Sequence, residues 1–258
     1  MLTEVKGIVL RVTDIRETDR LLSIYTEEMG LVTALAKGSR SLKSRKMAST
    51  QQLCYSSFIL FGEGDKLFVK EASLIENFYS VRESLEGLAL AMYVAEVVSD
   101  VATADGDREL LRLTLNTLFA ISRGTYNLAL LKGSFEMRLL SVLGFMPEIR
   151  ACKRCGRDTG EFFFDIMAAA LECSECHKLS VLGGDRLAEE HESSIVCIIT
   201  ESAKNALLYA LYAPLEKLFS FKLSGDDLRL FARAAEEYLL HHLERGYKTL
   251  DFYNEVKR

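Results

Sequence analysis

The sequence predicts an α+β protein: a small β domain over residues 1–80, then a helical domain over residues 81–258 with a cysteine-bearing insertion at about 150–180. Three observations carry this. Apolar residues before about position 80 fall in short β-branched runs separated by turn signals. After that they recur at three-to-four spacing, the period of a helix with one apolar face. Residues 150–180 break the helical period and hold four of the six cysteines.

The strand segments are residues 5–12, 21–26, 31–36, 56–61 and 66–70. The second and third are separated by Glu27, Glu28, Met29 and Gly30. The last two are joined by Gly62, Glu63, Gly64 and Asp65, a hairpin-like turn. Five strands in so short a stretch fit a small barrel or sandwich; an OB barrel is one fit and an SH3-like barrel another. In the helical part, Leu85, Leu88, Ala89, Met92, Tyr93, Val94 and Val97 mark a first helix. Residues 107–122 and 127–143 give two more, the third closed by Gly144 and Pro147. Thr200 caps a helix through Tyr212, stopped by Pro214. Ser224, Gly225, Asp226 and Asp227 resemble a capping box ahead of the last helical run, which stops at Gly246.

Length and composition bound the answer. A chain of 258 residues, 49% hydrophobic and 27% charged, is long enough for one or two buried cores. Its 2 prolines exclude a proline-rich linker, and no run approaches the roughly 20 apolar residues of a membrane span. Glu4, Lys6 and Arg11 do not fit a signal peptide, so the expected location is cytoplasmic. Six cysteines are too few for a disulfide scaffold, and in a reducing compartment clustered cysteines point to metal.

The cysteines are spaced for that purpose. Cys152–Cys155 and Cys173–Cys176 form two C-x2-C pairs with 17 residues between them. Two intervening residues let one tight turn aim both thiolates at one ion, and two such turns complete a tetrahedron of zinc ligands. Phe162, Phe163 and Phe164 supply a short hairpin to cover the site. Cys54 and Cys197 stand alone and read as core residues; His177, next to Cys176, is an alternative ligand. Four thiolates leave no open position for water, so the zinc is structural rather than catalytic.

The net charge of -5 argues against nucleic acid until its distribution is considered. Residues 29–62 contain no acid, where average composition (37 of 258) places about five. That stretch holds Lys37, Arg40, Lys43, Arg45 and Lys46, spaced by Gly and Ser, a composition suited to phosphate contact. Tyr25, Tyr55, Phe58, Phe61 and Phe68 lie on or near strands and are candidates for base stacking or for the core. Asp14, Glu17 and Asp19 flank Arg16 and Arg20 and read as a solvated turn.

Enzyme signatures are missing. There is no phosphate-loop Gly-Lys-Ser/Thr, no G-x-G-x-x-G, no G-x-S-x-G and no H-E-x-x-H. All four histidines (His177, His191, His241, His242) follow Cys155; His242-Leu243-Glu244 matches H-x-E but sits on the last expected helix with no cysteine after it, unlike a deaminase.

A family resemblance emerges from ordered segments. Lys6-Gly7-Ile8-Val9-Leu10, Glu17-Thr18-Asp19-Arg20-Leu21-Leu22, Thr26-Glu27-Glu28-Met29-Gly30-Leu31 and Ala36-Lys37-Gly38-Ser39-Arg40 resemble, in sequence, the N-terminal domain of the bacterial recombination and repair family RecO. Phe135-Glu136-Met137-Arg138-Leu139-Leu140, Leu143-Gly144-Phe145-Met146-Pro147, the first cysteine pair and Leu250-Asp251-Phe252 continue it. The resemblance implies an N-terminal OB-fold barrel, a helical domain with a four-cysteine zinc site (Cys152, Cys155, Cys173, Cys176), and a non-enzymatic mediator. Such proteins bind and anneal single-stranded DNA, bind the acidic C-terminal tail of single-stranded-DNA-binding protein, and act with RecR to help load the RecA recombinase. It puts the basic loop on the DNA face and a tail pocket around Phe135 and Leu139, with Lys132 and Arg138 as candidate cations. The competing readings are a zinc-dependent nucleic-acid enzyme and an adaptor that binds only protein.

Overall fold

Alternation of buried and exposed residues along the first strands closes a barrel. The computed structural model describes residues 2–63, 66–182 and 195–257; Gly64 and Asp65 of the expected turn, and His191, lie outside them. The strands are β1 (Leu2–Ile15), β2 (Asp19–Thr26), β3 (Gly30–Ala36), β4 (Tyr55–Glu63) and β5 (Lys66–Glu76). Their order is β1-β2-β3-β5-β4, with β4 returning to β1. All pairs are antiparallel except β3 with β5, where Leu35 lies opposite Phe68. This closed five-stranded path is the Greek-key barrel of the OB type. Strand counting could not supply the parallel pair, because it depends on the long β3–β4 connection.

β1 is longer than its apolar run because it serves two neighbours. Leu2–Ile8 pairs with β4 and Gly7–Ile15 with β2, with a register shift between Val9 and Arg11 that lets the strand turn the corner. The barrel interior holds Val5, Val9, Leu22, Ile24, Val32, Phe58, Leu60 and Val69, with Ala34 and Ala36 making room for the larger side chains. Gly30 is required at its turn: φ is +58°, and a Cβ would lie 2.0 Å from the Thr103 carbonyl oxygen.

The helices begin where their caps are. In α1 (Leu85–Val101), Ser84 accepts from the Gly87 N–H; in α2 (Arg108–Arg123), Asp107 accepts from Glu109 and Leu110, and Gly124 ends the helix in the left-handed region. Asn127 caps α3 (Leu128–Val142) in the same way. Four short strands, β6 (Glu148–Cys152), β7 (Phe162–Asp165), β8 (Ala170–Cys173) and β9 (Val196–Ile199), form a sheet in the order β6-β8-β7-β9. The expected phenylalanine hairpin is β7–β8; β6 and β9 extend it. Then come α4 (Ser174–Leu182), α5 (Glu201–Tyr212), α6 (Gly225–His242) and α7 (Lys248–Val256).

Two expectations change here. Ser224 precedes α6 but its side chain makes no capping bond; Asp227 instead accepts from the Thr200 hydroxyl at 2.6 Å, tying the start of α6 to that of α5. And α6 is not the last helix, since α7 follows it.

Packing gathers the chain into two compact units, Met1–Gly124 with Tyr247–Arg258, and Thr125–Gly246. In the first, α7 packs on α1, and the Tyr247 hydroxyl donates to Asp100 at 2.9 Å. In the second, α3 is the central helix, packed by α5 and α6, and its residues Leu130–Leu140 are all buried. A Cβ on Gly133 would lie 2.6 Å from the Phe231 ring, so the close approach of α3 and α6 needs glycine there. Among the described residues no helix is long and apolar enough to cross a membrane.

Candidate metal centre and nucleic-acid interface

The cysteine centre is assembled by two strand ends. β6 ends at Cys152, and the following turn closes through Gly156 N–H to the Cys152 carbonyl at 2.9 Å, with Gly156 at φ +73°. β8 ends at Cys173, and Cys176 sits in the first turn of α4. The four sulfurs lie within 4.8 Å of one another, and Cys155 Sγ is 3.7 Å from Cys173 Sγ. A tetrahedron with metal–sulfur bonds near 2.3 Å has an edge of about 3.8 Å, so the spacing fits a single four-coordinate ion. Soft sulfur donors in that geometry suit zinc or iron.

The thiols also behave as a set. Burial pushes the Cys152 thiol up, but N–H donors from Cys173, Cys155 and Arg154 bring it down to about 6. Cys176, held as a hydrogen-bond partner of Cys155 and partly desolvated, is pushed up to about 12. One thiolate forms readily beside the backbone donors and a further one is opposed, the electrostatic condition that a bound cation relieves.

Around the sulfurs, Glu172 is the organising carboxylate. It is 2% exposed and receives Lys153 at 3.3 Å, Arg154 at 3.0 Å and His177 Nδ1 at 3.4 Å. Burial raises the Glu172 carboxyl, and Arg154 and Lys153 outweigh it and hold it below the usual range. His177 stacks on Phe163 with ring centroids 3.9 Å apart and stands outside the sulfur cluster. Cys54 and Cys197 are buried away from it; burial pushes the Cys197 thiol up to about 11.

The basic loop connects β3 to β4 as a series of turns. It is anchored at its start, where the Asp19 carboxylate accepts from Gly38 N–H at 2.8 Å; that bond, helped by Thr18 and nearby cations, holds Asp19 below its ordinary value. Its five cations are not equivalent. Arg40 reaches Asp14 at 3.4 Å and donates to the Arg16 carbonyl at 3.0 Å. Lys46 is half-buried and donates to the Val69 carbonyl at 3.3 Å. Lys37 is exposed, its ammonium 5.3 Å from the centre of the Phe68 ring. Lys43 and Arg45 are exposed and meet no hydrogen-bond or ion-pair partner among the described residues. The stretch that lacks acids in sequence therefore does not lack them in space, because the β1–β2 corner brings Asp14 and Asp19 to its first residues. Of the stacking candidates, Tyr25 and Phe58 are wholly buried, while Phe61 and Phe68 face outward.

The expected tail-binding residues lie inside the second unit. Lys132, Phe135, Arg138 and Leu139 are 2%, 0%, 8% and 0% exposed. Lys132 Nζ is 2.8 Å from Glu136 and 2.7 Å from Glu236. Burial pushes its ammonium down, but the two carboxylates outweigh that and raise it. Arg138 donates to the carbonyls of Ala210 and Ala213. These side chains are buried and engaged by partners within this unit.

A groove elsewhere in this unit was not foreseen. It encloses about 860 Å³ and is lined by Tyr126, Leu130, Tyr209, Phe219 and Phe221, with Lys222 in its wall. The signal was available in Phe219-Ser220-Phe221-Lys222, a polar-apolar stretch outside any helix.

An OB-type barrel with a basic loop, helices, and a four-thiol centre define a modular protein of the barrel-bearing kind. Comparison narrows it. Residues 1–78 match the family described as Recombination protein O N terminal, and residues 82–251 match Recombination protein O C terminal. DNA repair protein RecO of Acetivibrio thermocellus is 34% identical over 98% of this chain and 96% of its own length. That of Alkaliphilus metalliredigens is 28% identical over 99% and 100%, and that of Listeria monocytogenes serotype 4b is 35% identical over 66% and 67%. The chain belongs to the RecO family of DNA repair proteins.

Proposed function

We propose that this chain is a non-enzymatic mediator of recombinational repair that binds and anneals single-stranded DNA on its barrel. The observation that carries the reading is the pair Lys43 and Arg45, exposed on the β3–β4 loop without partners among the described residues. Free cations bind phosphates by releasing counterions, whereas paired ones must first give up a carboxylate. Lys37 joins them; Arg40 and Lys46 shape the loop, Arg40 also lending part of its charge. Neutralising two strands on one surface lowers their mutual repulsion, which is what annealing requires.

The four cysteines hold a structural zinc in this reading, supported by the sulfur spacing and the all-thiolate donor set. When bound, the ion ties the β6 and β8 ends together. Four thiolates fill its coordination sphere, which disfavours the zinc-enzyme alternative.

The protein partners are RecR, with which it helps load the RecA recombinase, and the acidic C-terminal tail of single-stranded-DNA-binding protein. For the tail, the groove of Leu130, Phe219 and Phe221 offers apolar walls and Lys222 a cation for the carboxylate, in place of the buried Lys132 and Arg138. The test is an annealing assay with complementary oligonucleotides: the intact protein accelerates annealing at low salt, and loss of that acceleration on replacing Lys37, Lys43 and Arg45 with Ala is the expected result. Annealing that proceeds at the uncatalysed rate with the wild-type protein would contradict the reading.

A further inference from the structure

A row of apolar side chains crosses the outside of the barrel. Register places Leu2 of β1 opposite Phe61 of β4, Phe61 opposite Phe68 of β5, and Phe68 opposite Leu35 of β3. All four point outward, since Val5, Leu60, Val69 and Ala34 fill the interior on the alternate positions. Leu2 remains 58% exposed and Phe61 41%. The Phe61 and Phe68 rings are stacked, with centroids 5.1 Å apart and planes 23° apart. Phe68 is engaged by Phe61 and by the Lys37 ammonium, which leaves Phe61 as the open ring.

Cations lie beside this row, and the exposed carboxylates of Glu4 and Glu71 stand one row further on, either side of Ile59. Lys66 and Lys70 are exposed on the same face of β5, two residues to either side of Phe68. Lys70 lines a shallow hollow with Leu2, Phe61 and Gly62, and Lys37 is the first cation of the β3–β4 loop. Glu4, on the next outward row, accepts from the Ser57 hydroxyl at 3.3 Å. Aromatic rings flanked by lysines match an unstacked nucleobase with its phosphates on either side better than they match an apolar protein face.

We propose that Phe61, backed by Phe68, is a base-stacking platform that lets the barrel distinguish single-stranded from duplex DNA. This rests on the reading that the barrel binds single-stranded DNA. The physical basis is simple: every base presents a π face when unpaired and hides it when stacked in a duplex, so a ring platform rewards only the single strand. Cations alone would favour the duplex, which has the higher charge density. Stacking is indifferent to which base is present, so the platform carries no sequence preference.

The test uses the intact chain, which contains no tryptophan. Phe61→Trp therefore introduces a single indole whose emission is quenched when a base stacks on it. With an oligothymidylate, Phe61→Trp is expected to bind as the wild type does and to lose emission at saturation, while Tyr79→Trp, at another exposed position, keeps its emission. Phe61→Ala is expected to lower oligothymidylate affinity on the order of 10- to 100-fold, the loss of one stacked base. Its duplex affinity and its salt slope are expected to stay unchanged. Wild-type binding with Phe61→Ala unaffected, unquenched emission from Phe61→Trp, or equal loss on single strand and duplex would each overturn the platform and leave the broader reading standing. Failure of the wild type itself to bind the oligothymidylate at low salt would overturn both.

Discussion

Arg154 Nε lies 3.0 Å from Glu172 Oε1, and through that contact a residue of the first cysteine turn is tied to β8, the strand that ends at Cys173. The same oxygen receives Lys153, the other residue between Cys152 and Cys155, while His177 just past Cys176 meets the second oxygen. One buried carboxylate thus positions both turns. Glu172→Gln is expected to keep the fold and lower metal affinity by about 10- to 100-fold, the range seen when outer-shell partners are removed. Competition with a chromophoric chelator measures it; unchanged zinc release would mean that the cysteines hold their geometry alone.

Acid should act on the same contact. The Glu172 carboxyl lies below its ordinary 4.5 in the folded protein. Its contribution to stability is therefore complete above that ordinary value and is lost as pH falls through the lower, folded one. In metal-free protein, Glu172→Gln should flatten the acid limb of a stability-against-pH curve; parallel limbs for the two proteins would contradict this.

Cys152→Ser and Cys173→Ser are each expected to abolish stoichiometric zinc and to lower the melting temperature of the 125–246 unit. Oligonucleotide affinity should change little, since the proposed DNA contacts are on the barrel. Metal analysis and calorimetry on protein purified without chelator decide it, and wild-type protein free of zinc would refute the metal assignment.

Lys132→Met is expected to destabilise the protein by about 3–5 kcal/mol, because it removes the cation held between the buried Glu136 and the half-buried Glu236. The ammonium is raised above 10.5, so its contribution is complete below that pH and disappears only as pH rises through the higher, folded value. Denaturant unfolding measures the loss. For the acidic tail peptide, Lys222→Glu should weaken binding without such destabilisation; equal affinity for wild type and Lys222→Glu would remove the groove from the account.

What the sequence disclosed and what it hid follow from range. The gathering of the two C-x2-C turns, the helices beginning near Asp107 and Asn127 and the turn at Gly30 depend on residues a few positions apart, so spacing and period were enough to expect them. The role of α3 depends on distant partners. Lys132 and Arg138 read as candidate binding cations until Glu236 on α6 and the carbonyls of Ala210 and Ala213 are brought to them. A hint was present: residues 128–142 have no continuous polar stripe, as expected of a helix buried all round. The Asp14–Arg40 contact was invisible for the same reason, and β9 is four residues whose partner, β7, lies more than 30 positions earlier.

The central claim is that the β3–β4 loop meets phosphates, and the salt dependence of single-strand affinity tests it most directly. Lys43→Ala with Arg45→Ala is compared with wild type and with Lys248→Ala, an exposed control on α7. Stability should barely move, by about 0–1 kcal/mol, because these are exposed charges. Each lost phosphate contact should reduce the slope of log affinity against log salt by about 0.7, so the double variant falls by about 1.4 while the control keeps the wild-type slope. Slopes that cannot be told apart among the three proteins would contradict the account and take the loop out of the DNA-binding surface.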